Sequence, residues 1–433
     1  MHPSRWSRIW YLVTAATMVT TRSKQRMMVQ TATAALSVTP TTRKQGTKAK
    51  AKPKPKPKPT TRSAVMTTNM TMTTTTATTL GIKESNKALP KKRRKITTTT
   101  KHDSSMELRI DNDKSDSTLN SLLLTLPEDI VLGTLIGRPS KRNRSPYVAD
   151  VVLESEQREV IVHVPNLDMG GKCIPGVQLL LKPARDKKGT LVGPNVVNSK
   201  FGTPKCEYIA QLLRVDESAL GYESTWVGAH PQLGEQIAEQ LIHRNLLGPD
   251  FPTVLHYQRE VRNIAGTNMR ADFVIHHTDP ERPHRILEVK TVVDTDYALS
   301  RVPTNGVKCV YTNDSIPYKR TAIFPWGQSN QQGPDGERVV SARAIKHVQE
   351  LTKIARGKHH NGERYDATIL FVVIRHDAEA FRPNHQACPS FAKYLKEAKE
   401  AGVQILAKQV RWGEGDDIGK CFEGRLLDIV WPE

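Results

Sequence analysis

Acidic residues are absent from the first 80 positions of this 433-residue chain. Residues 1–105 hold 22 Lys and Arg against two Asp and Glu, whereas residues 106–433 hold 42 of each sign. The net charge of +20 therefore belongs to the leader. The remainder is neutral, so bulk basicity cannot be read as the footprint of a nucleic-acid partner, and any such surface must be local. Cysteine is also scarce. Cys173, Cys206, Cys309, Cys388 and Cys421 are widely spread, odd in number and without a C-x-x-C pair, which excludes a disulfide framework and a zinc ribbon. Long apolar runs are missing as well. Ile9 to Val19, behind Arg5 and Arg8, is shorter than the roughly 20 residues that span a bilayer, so no membrane partner is expected of the mature chain.

An acid-free leader rich in Thr, Ser and Arg fits an organelle transit peptide, for a plastid or a mitochondrion. Lys48 to Pro59 reads as an extended polyproline-type spacer. Pro90-Lys91-Lys92-Arg93-Arg94-Lys95 suits the nucleus as the alternative destination. Nothing in residues 1–118 can bury a core, and disorder is expected there.

Residues 119–225 change character. Strand-like runs at Asp129–Ile136, Tyr147–Leu153, Glu159–Val164, Val177–Lys182 and Cys206–Leu213 are separated by Gly, Pro and charged turns. Five short strands fit a small OB-type barrel, a scaffold for single strands or oligosaccharides. Between the first two runs lies a compact basic loop, Arg138-Pro139-Ser140-Lys141-Arg142-Asn143-Arg144. Lys141, Arg142 and Arg144 are candidates for phosphate contacts, and equally for a solvated charge run.

Residues 226–433 form the second region. His230 to Leu247, with Leu233, Ile237, Leu241 and Leu246 at helical spacing, reads as a packing helix. Thr253–Arg262 is a strand carrying Glu260. A hairpin follows: Arg270–Ile275, a turn containing Pro280 and Pro283, then Arg285–Thr291. Alternation puts Glu288 and Lys290 on one face, and Asp272 stands on the neighbouring strand. Val292–Arg338 reads as long and irregular. A helix is expected over Val340–Ile354, with Arg343, Lys346 and His347 on one broad face. Asp366–Ile374 is an apolar central strand, Ser390–Ala401 a helix and Val403–Lys408 a further strand, giving a mixed α/β arrangement.

Acids on adjacent strands beside a lysine suit a hard cation, Mg²⁺ or Mn²⁺, which takes oxygen ligands. Asp272, Glu288 and the backbone carbonyl of Val289 are the expected ligands, with Glu260 completing the set. Lys290 would steer a hydrolytic water and stabilise phosphate charge. The plainer alternative is a surface ion pair between Glu288 and Lys290, worth little.

Taken in order, His163-Val164-Pro165-Asn166, Gly170, Pro175-Gly176, Arg270-Ala271-Asp272-Phe273, Glu288-Val289-Lys290, Phe324-Pro325, Arg343, Lys346-His347 and Phe381-Arg382-Pro383 resemble the sugar fermentation stimulation protein (SfsA) family from about Leu132 to Leu427. The resemblance implies an α+β, mixed fold: an OB-like β-barrel followed by a restriction-endonuclease-like α/β domain of the PD-(D/E)xK kind. It also implies DNA as partner, with RNA possible in principle. On that likeness Asp272, Glu288 and Lys290 match the nuclease core, Glu260 an accessory acid, and Arg343, Lys346 and His347 the following helix. Two functions are open: a metal-dependent nuclease, or a non-catalytic DNA-binding regulator on a nuclease scaffold. An oligosaccharide-binding barrel is a third. Leu167-Asp168 stands where the family has Thr-Gly, and Trp326 replaces an Asp after Phe324-Pro325. Residues 294–320 and 328–337 read as insertions.

Overall fold

The computed structural model describes residues 121–432 apart from 167–168, 304–309 and 358–363. The leader, with its transit, spacer and nuclear-localisation features, lies outside the described residues, as do Leu167, Asp168 and Cys309.

Five strands, β2 (Val131–Gly137), β3 (Val148–Leu153), β4 (Glu159–His163), β5 (Gln178–Pro183) and β6 (Tyr208–Val215), pair in the order β4-β3-β2-β5-β6. A parallel contact between β4 and β6 closes the ring. This is the expected OB-like barrel. Leu135, Val151, Leu153, Val160, Val162, Leu179 and Leu181 are all but fully buried within it. β7 (Thr225–Gly228) extends β6 on the open side.

The second layer is a seven-stranded mixed sheet in the order β1-β20-β19-β17-β10-β9-β8. Its strands are β1 (Leu122–Thr125), β8 (Val254–Arg262), β9 (Arg270–His277), β10 (His284–Val292), β17 (Tyr365–Val373), β19 (Gln404–Trp412) and β20 (Lys420–Leu426). β17 lies parallel between β10 and β19. Its residues 367–373 are continuously buried, as a central strand covered on both faces requires. This is the mixed α/β sheet expected of the second region. Leu122–Thr125 falls inside the segment assigned by sequence to the barrel, yet it pairs antiparallel with β20 and belongs to the sheet.

Helix α1 (Pro231–His243) starts where Pro231 fixes the first turn and the His230 side chain accepts from the Gln232 amide at 3.3 Å. It buries Leu233, Ile237, Ala238, Leu241 and Ile242. These join the barrel interior and one sheet face, through Phe273, Ile275, Leu287, Val289, Leu370 and Val372, in a single core. Each large side chain so buried contributes about 1.5–3 kcal/mol. The opposite sheet face packs against α2 (Ala342–Ala355) and α3 (Pro389–Glu400) in a second core.

The stretch 292–338 is more ordered than its composition suggests. It supplies β11 (Asp294–Thr295), β12 (Tyr297–Ala298), β13 (Thr312–Asn313), β14 (Thr321–Phe324), β15 (Gln331–Gln332) and β16 (Arg338–Val339). β11 and β14 continue through β18 (Ala380–Pro383) and β21 (Asp428–Ile429) as a small four-stranded sheet. Charged residues hold it to the barrel. Buried Lys172 pairs with Asp294, and Glu217 pairs with Arg320 while accepting from the Tyr297 hydroxyl at 2.8 Å. Among the described residues no helix is long and apolar enough to cross a membrane. Cys173, Cys206, Cys388 and Cys421 are free thiols.

Candidate metal centre and adjoining cleft

Register places three acids in one row across three strands. Arg259 opposes Phe273 and Val261 opposes Ala271, so Glu260 of β8 stands against Asp272 of β9. Leu287 opposes Phe273 at the last paired position of β9 and β10, so the next residue, Glu288, faces Asp272 from the other side. Beyond that pair the ladder opens. In place of a backbone bond, the Val289 amide donates to Asp272 Oδ2 at 2.8 Å.

A fourth acid comes from α1. Carboxylate oxygens of Glu235, Glu260 and Asp272 all lie within 4.8 Å of one another. The approach depends on the residue before Glu235: a Cβ at Gly234 would overlap the Thr291 side chain, so only glycine lets α1 settle this closely on β10. Glu260 itself has φ +56°, a conformation uncommon for a side chain with a Cβ. Asn263, Ala265 and Gly266 after it are also left-handed, so four residues in seven carry positive φ beside the acids. Backbone in such regions costs about 1–3 kcal/mol per residue and persists where surroundings enforce it.

Glu288 occupies a different environment. It is 3 % exposed, and its Oε1 is hydrogen-bonded by both Lys290 Nζ and His347 Nδ1. Its Oε2 has no hydrogen-bond partner. Burial opposes its ionisation, but Lys290 and His347 outweigh that and hold the carboxyl below the usual range. Asp272 goes the other way. Burial, then the charge of Glu288, pushes it up to about 6, with Glu235 adding to the repulsion.

Sequence reasoning assigned Asp272, Glu288 and the Val289 carbonyl to the cation, with Glu260 completing the set. Asp272 does lie among converging carboxylates, but its companions are Glu260 and Glu235, and Glu288 is engaged by Lys290 and His347. The Val289 carbonyl accepts from Lys290 Nζ at 3.3 Å, and it is the Val289 amide that turns to Asp272. The donor set suits a hard divalent ion: three carboxylates from three elements, all oxygen, with two ion pairs among them, Glu260 to Arg270 at 2.6 Å and Glu235 to Arg259 at 4.0 Å. Glu235 was missed because helical periodicity marks its helix without telling which strand the helix will lie on. Gly234 beside it was the only available signal.

Next to the acids is a cleft of about 420 Å³ between the Gly266–Arg270 turn and α2. It brings together Arg343, Lys346 and His347, as their spacing predicts, and adds Arg270. Lys141, Arg142 and Arg144 lie elsewhere, in the β2–β3 loop of the barrel. Lys141 and Arg144 are exposed, whereas Arg142 leans towards Asp150 and Glu159, 3.7 Å from each. That loop meets the β5–β6 connection, where Asn143 Nδ2 donates to the Pro204 carbonyl at 3.4 Å.

A closed five-stranded barrel and a mixed sheet, with Asp272 and Glu288-Val289-Lys290 on adjacent strands beside a basic helix, define a protein of the α+β class. Residues 334–416 match the family model described as the sugar fermentation stimulation protein RE domain. Over this stretch the chain is similar to the sugar fermentation stimulation protein family. A homologue of that protein in Acaryochloris marina is 26 % identical over 281 residues, 64 % of this chain and 85 % of its own length. One in Geobacter sp. is 28 % identical over 287 residues, 66 % and 91 % respectively. The structure of Pyrococcus furiosus SfsA in complex with Ca²⁺ aligns at 19 % identity and a TM-score of 0.46, covering 71 % of this chain and 99 % of that one.

Proposed function

We propose that this chain binds nucleic acid and hydrolyses its phosphodiester bonds at a cation-dependent site formed around Asp272. The observation that carries the reading is the convergence of Glu235, Glu260 and Asp272 within 4.8 Å, beside Lys290 and a cleft bearing Arg270, Arg343 and Lys346. Three carboxylates this close repel one another, and Asp272, pushed up to about 6 by burial first, then by Glu288 and to a smaller extent by Glu235, gains from a bound cation. Mg²⁺ or Mn²⁺, held by Asp272, Glu260 and Glu235, supplies charge neutralisation at a phosphoryl oxygen and a more acidic water. Lys290, oriented by Glu288, keeps an ammonium next to the acids, where it offsets charge on a phosphate. Arg270, Arg343 and Lys346 bind flanking phosphates and orient the strand.

The barrel is the binding module in this reading. Its β2–β3 loop offers Lys141 and Arg144. The adjoining β5–β6 connection offers Lys200 and Phe201, the latter 66 % exposed, with Lys200 Nζ 5.1 Å from the ring centroid. An exposed aromatic ring among lysines is the composition on which single-stranded bases stack.

The test uses the full-length chain with labelled single- and double-stranded DNA and RNA, in Mg²⁺, Mn²⁺ or EDTA, beside Asp272→Asn and Glu235→Gln. Cation-dependent cleavage that both variants lose while still binding is the expected result. Binding without cleavage, equal in all three proteins, would leave a non-catalytic DNA-binding regulator.

A further inference from the structure

A second row crosses the same three strands, four residues along from the acids, which is about 13 Å at strand rise. His256 of β8 opposes His276 of β9 directly. His284, the first residue of β10, continues the register one position beyond the Arg285–Ile275 pair and so faces His276 from the other side. The rings make contact along the row. His256 and His276 stack with centroids 4.1 Å apart and planes 11° from parallel, and His276 and His284 lie 4.0 Å apart, tilted by 57°. Tyr365 of β17, paired with His284, ends the row.

In a row of three imidazoles in contact, protonation of the middle ring sets its charge against both neighbours. His276 in the middle is held neutral by burial and by His284 and His256 on either side. Its Nε2 is shielded from solvent and has no hydrogen-bond partner. A neutral imidazole with an unsatisfied ring nitrogen is a ligand awaiting an acceptor. β8 is the edge of the sheet, so the row starts where an ion can enter.

We propose that His276 and His284, with His256 stacked behind His276, form a binding site for a borderline transition-metal ion of the Zn²⁺ class, separate from the carboxylate site. The tilted pair is the chelating one. Rings inclined by 57° can turn one nitrogen each towards a common ion when their side chains rotate apart, whereas the near-parallel rings of His256 and His276 present their nitrogens side by side. Nitrogen donors select Zn²⁺, Co²⁺, Ni²⁺ or Cu²⁺ over Mg²⁺, so the two rows take different ions. Water or Tyr365 completes the coordination.

The experiment titrates the full-length protein with Zn²⁺ against a chromophoric chelator, and with Co²⁺ followed by visible absorption. One equivalent should bind in the presence of millimolar Mg²⁺. His276→Ala and His284→Ala should each weaken binding at least about tenfold, while His256→Ala changes it less and Asp272→Asn leaves it unchanged. His276→Phe keeps the aromatic stack without the ligand and must behave as His276→Ala does, which separates metal binding from packing. Wild-type affinity in His276→Phe and His284→Ala, or loss of the bound equivalent in Asp272→Asn, would overturn the proposal.

Discussion

Glu288 of β10 and His347 of α2 are joined by a hydrogen bond from the ring nitrogen Nδ1 to Oε1, the same oxygen that Lys290 engages. One buried carboxylate thus ties the sheet to the helix that carries the basic cleft. Removing the ammonium leaves that charge with the imidazole alone. Lys290→Ala is expected to cost roughly 2–4 kcal/mol of stability. In a Glu288→Gln background the same change should cost less than about 1 kcal/mol, because the coupling is between these two groups. Urea unfolding of the four proteins of the double-mutant cycle measures both.

Gly234→Ala sets two effects against each other. In an exposed helix the change gains about 0.5–1 kcal/mol. Here the added methyl overlaps the Thr291 side chain, and forcing extra volume into a packed contact costs about 1–3 kcal/mol. The clash wins, so the variant should be less stable, and α1 should move away from β10 with Glu235. Mn²⁺ affinity, read by isothermal calorimetry, is expected to fall at least severalfold. Thr291→Ala in the same chain should recover part of both losses.

The contrast between these sites shows what the sequence makes legible. Glu288 and Lys290 share a face because strand alternation is local, and Asp272 stands beside them because a short hairpin fixes its own register. The α2 face was equally readable from spacing. Glu235 was not, since a helix's polar positions do not name the strand beneath it. β1 pairs with β20 from the other end of the folded region, a contact no local pattern encodes. The segment from Asp294 to Arg320 looked like an insertion because its strands are two residues long. Its buried Asp294, Asp296 and Arg320 also resemble loop composition until their partners are known.

The acids should also impose a pH dependence. Asp272 is pushed up to about 6 in the fold against 3.8 for the free side chain. The folded protein therefore binds more protons than the unfolded chain between these values. Stability is greatest below about pH 4 as far as this group is concerned, and is lost as pH rises through 6, by on the order of 2–3 kcal/mol. Cation binding runs the other way, because the ion needs the carboxylate. Mn²⁺ affinity measured from pH 5 to 8 should rise through about 6, and Asp272→Asn should abolish that rise.

Arg375 gives a different kind of test. It is fully buried, donates to both oxygens of Asp377 at 2.6 Å, and reaches the Val293 carbonyl at 3.2 Å. Lysine keeps the charge and loses the planar fork, so Asp377 and the carbonyl cannot both be satisfied. Arg375→Lys is expected to destabilise by about 2–4 kcal/mol, visible as a lower midpoint in urea. Asp272-centred cation affinity should stay unchanged in the fraction that remains folded.

Phe201 separates the barrel's binding role from its stability. The ring is exposed, in a connection packed by few apolar neighbours, so Phe201→Ala should leave the unfolding midpoint within about 0.5 kcal/mol of wild type. If bases stack on it, the loss is about 1–3 kcal/mol per base, a fall of roughly five- to 150-fold in affinity for a single-stranded oligonucleotide. Fluorescence anisotropy at two salt concentrations distinguishes stacking from charge. Phe201→Ala should lower affinity with the salt slope intact, whereas Lys141→Ala with Arg144→Ala should flatten the slope. Equal affinity for wild type and Phe201→Ala would remove the β5–β6 connection from the binding surface and leave the α2 cleft as the strand's principal contact.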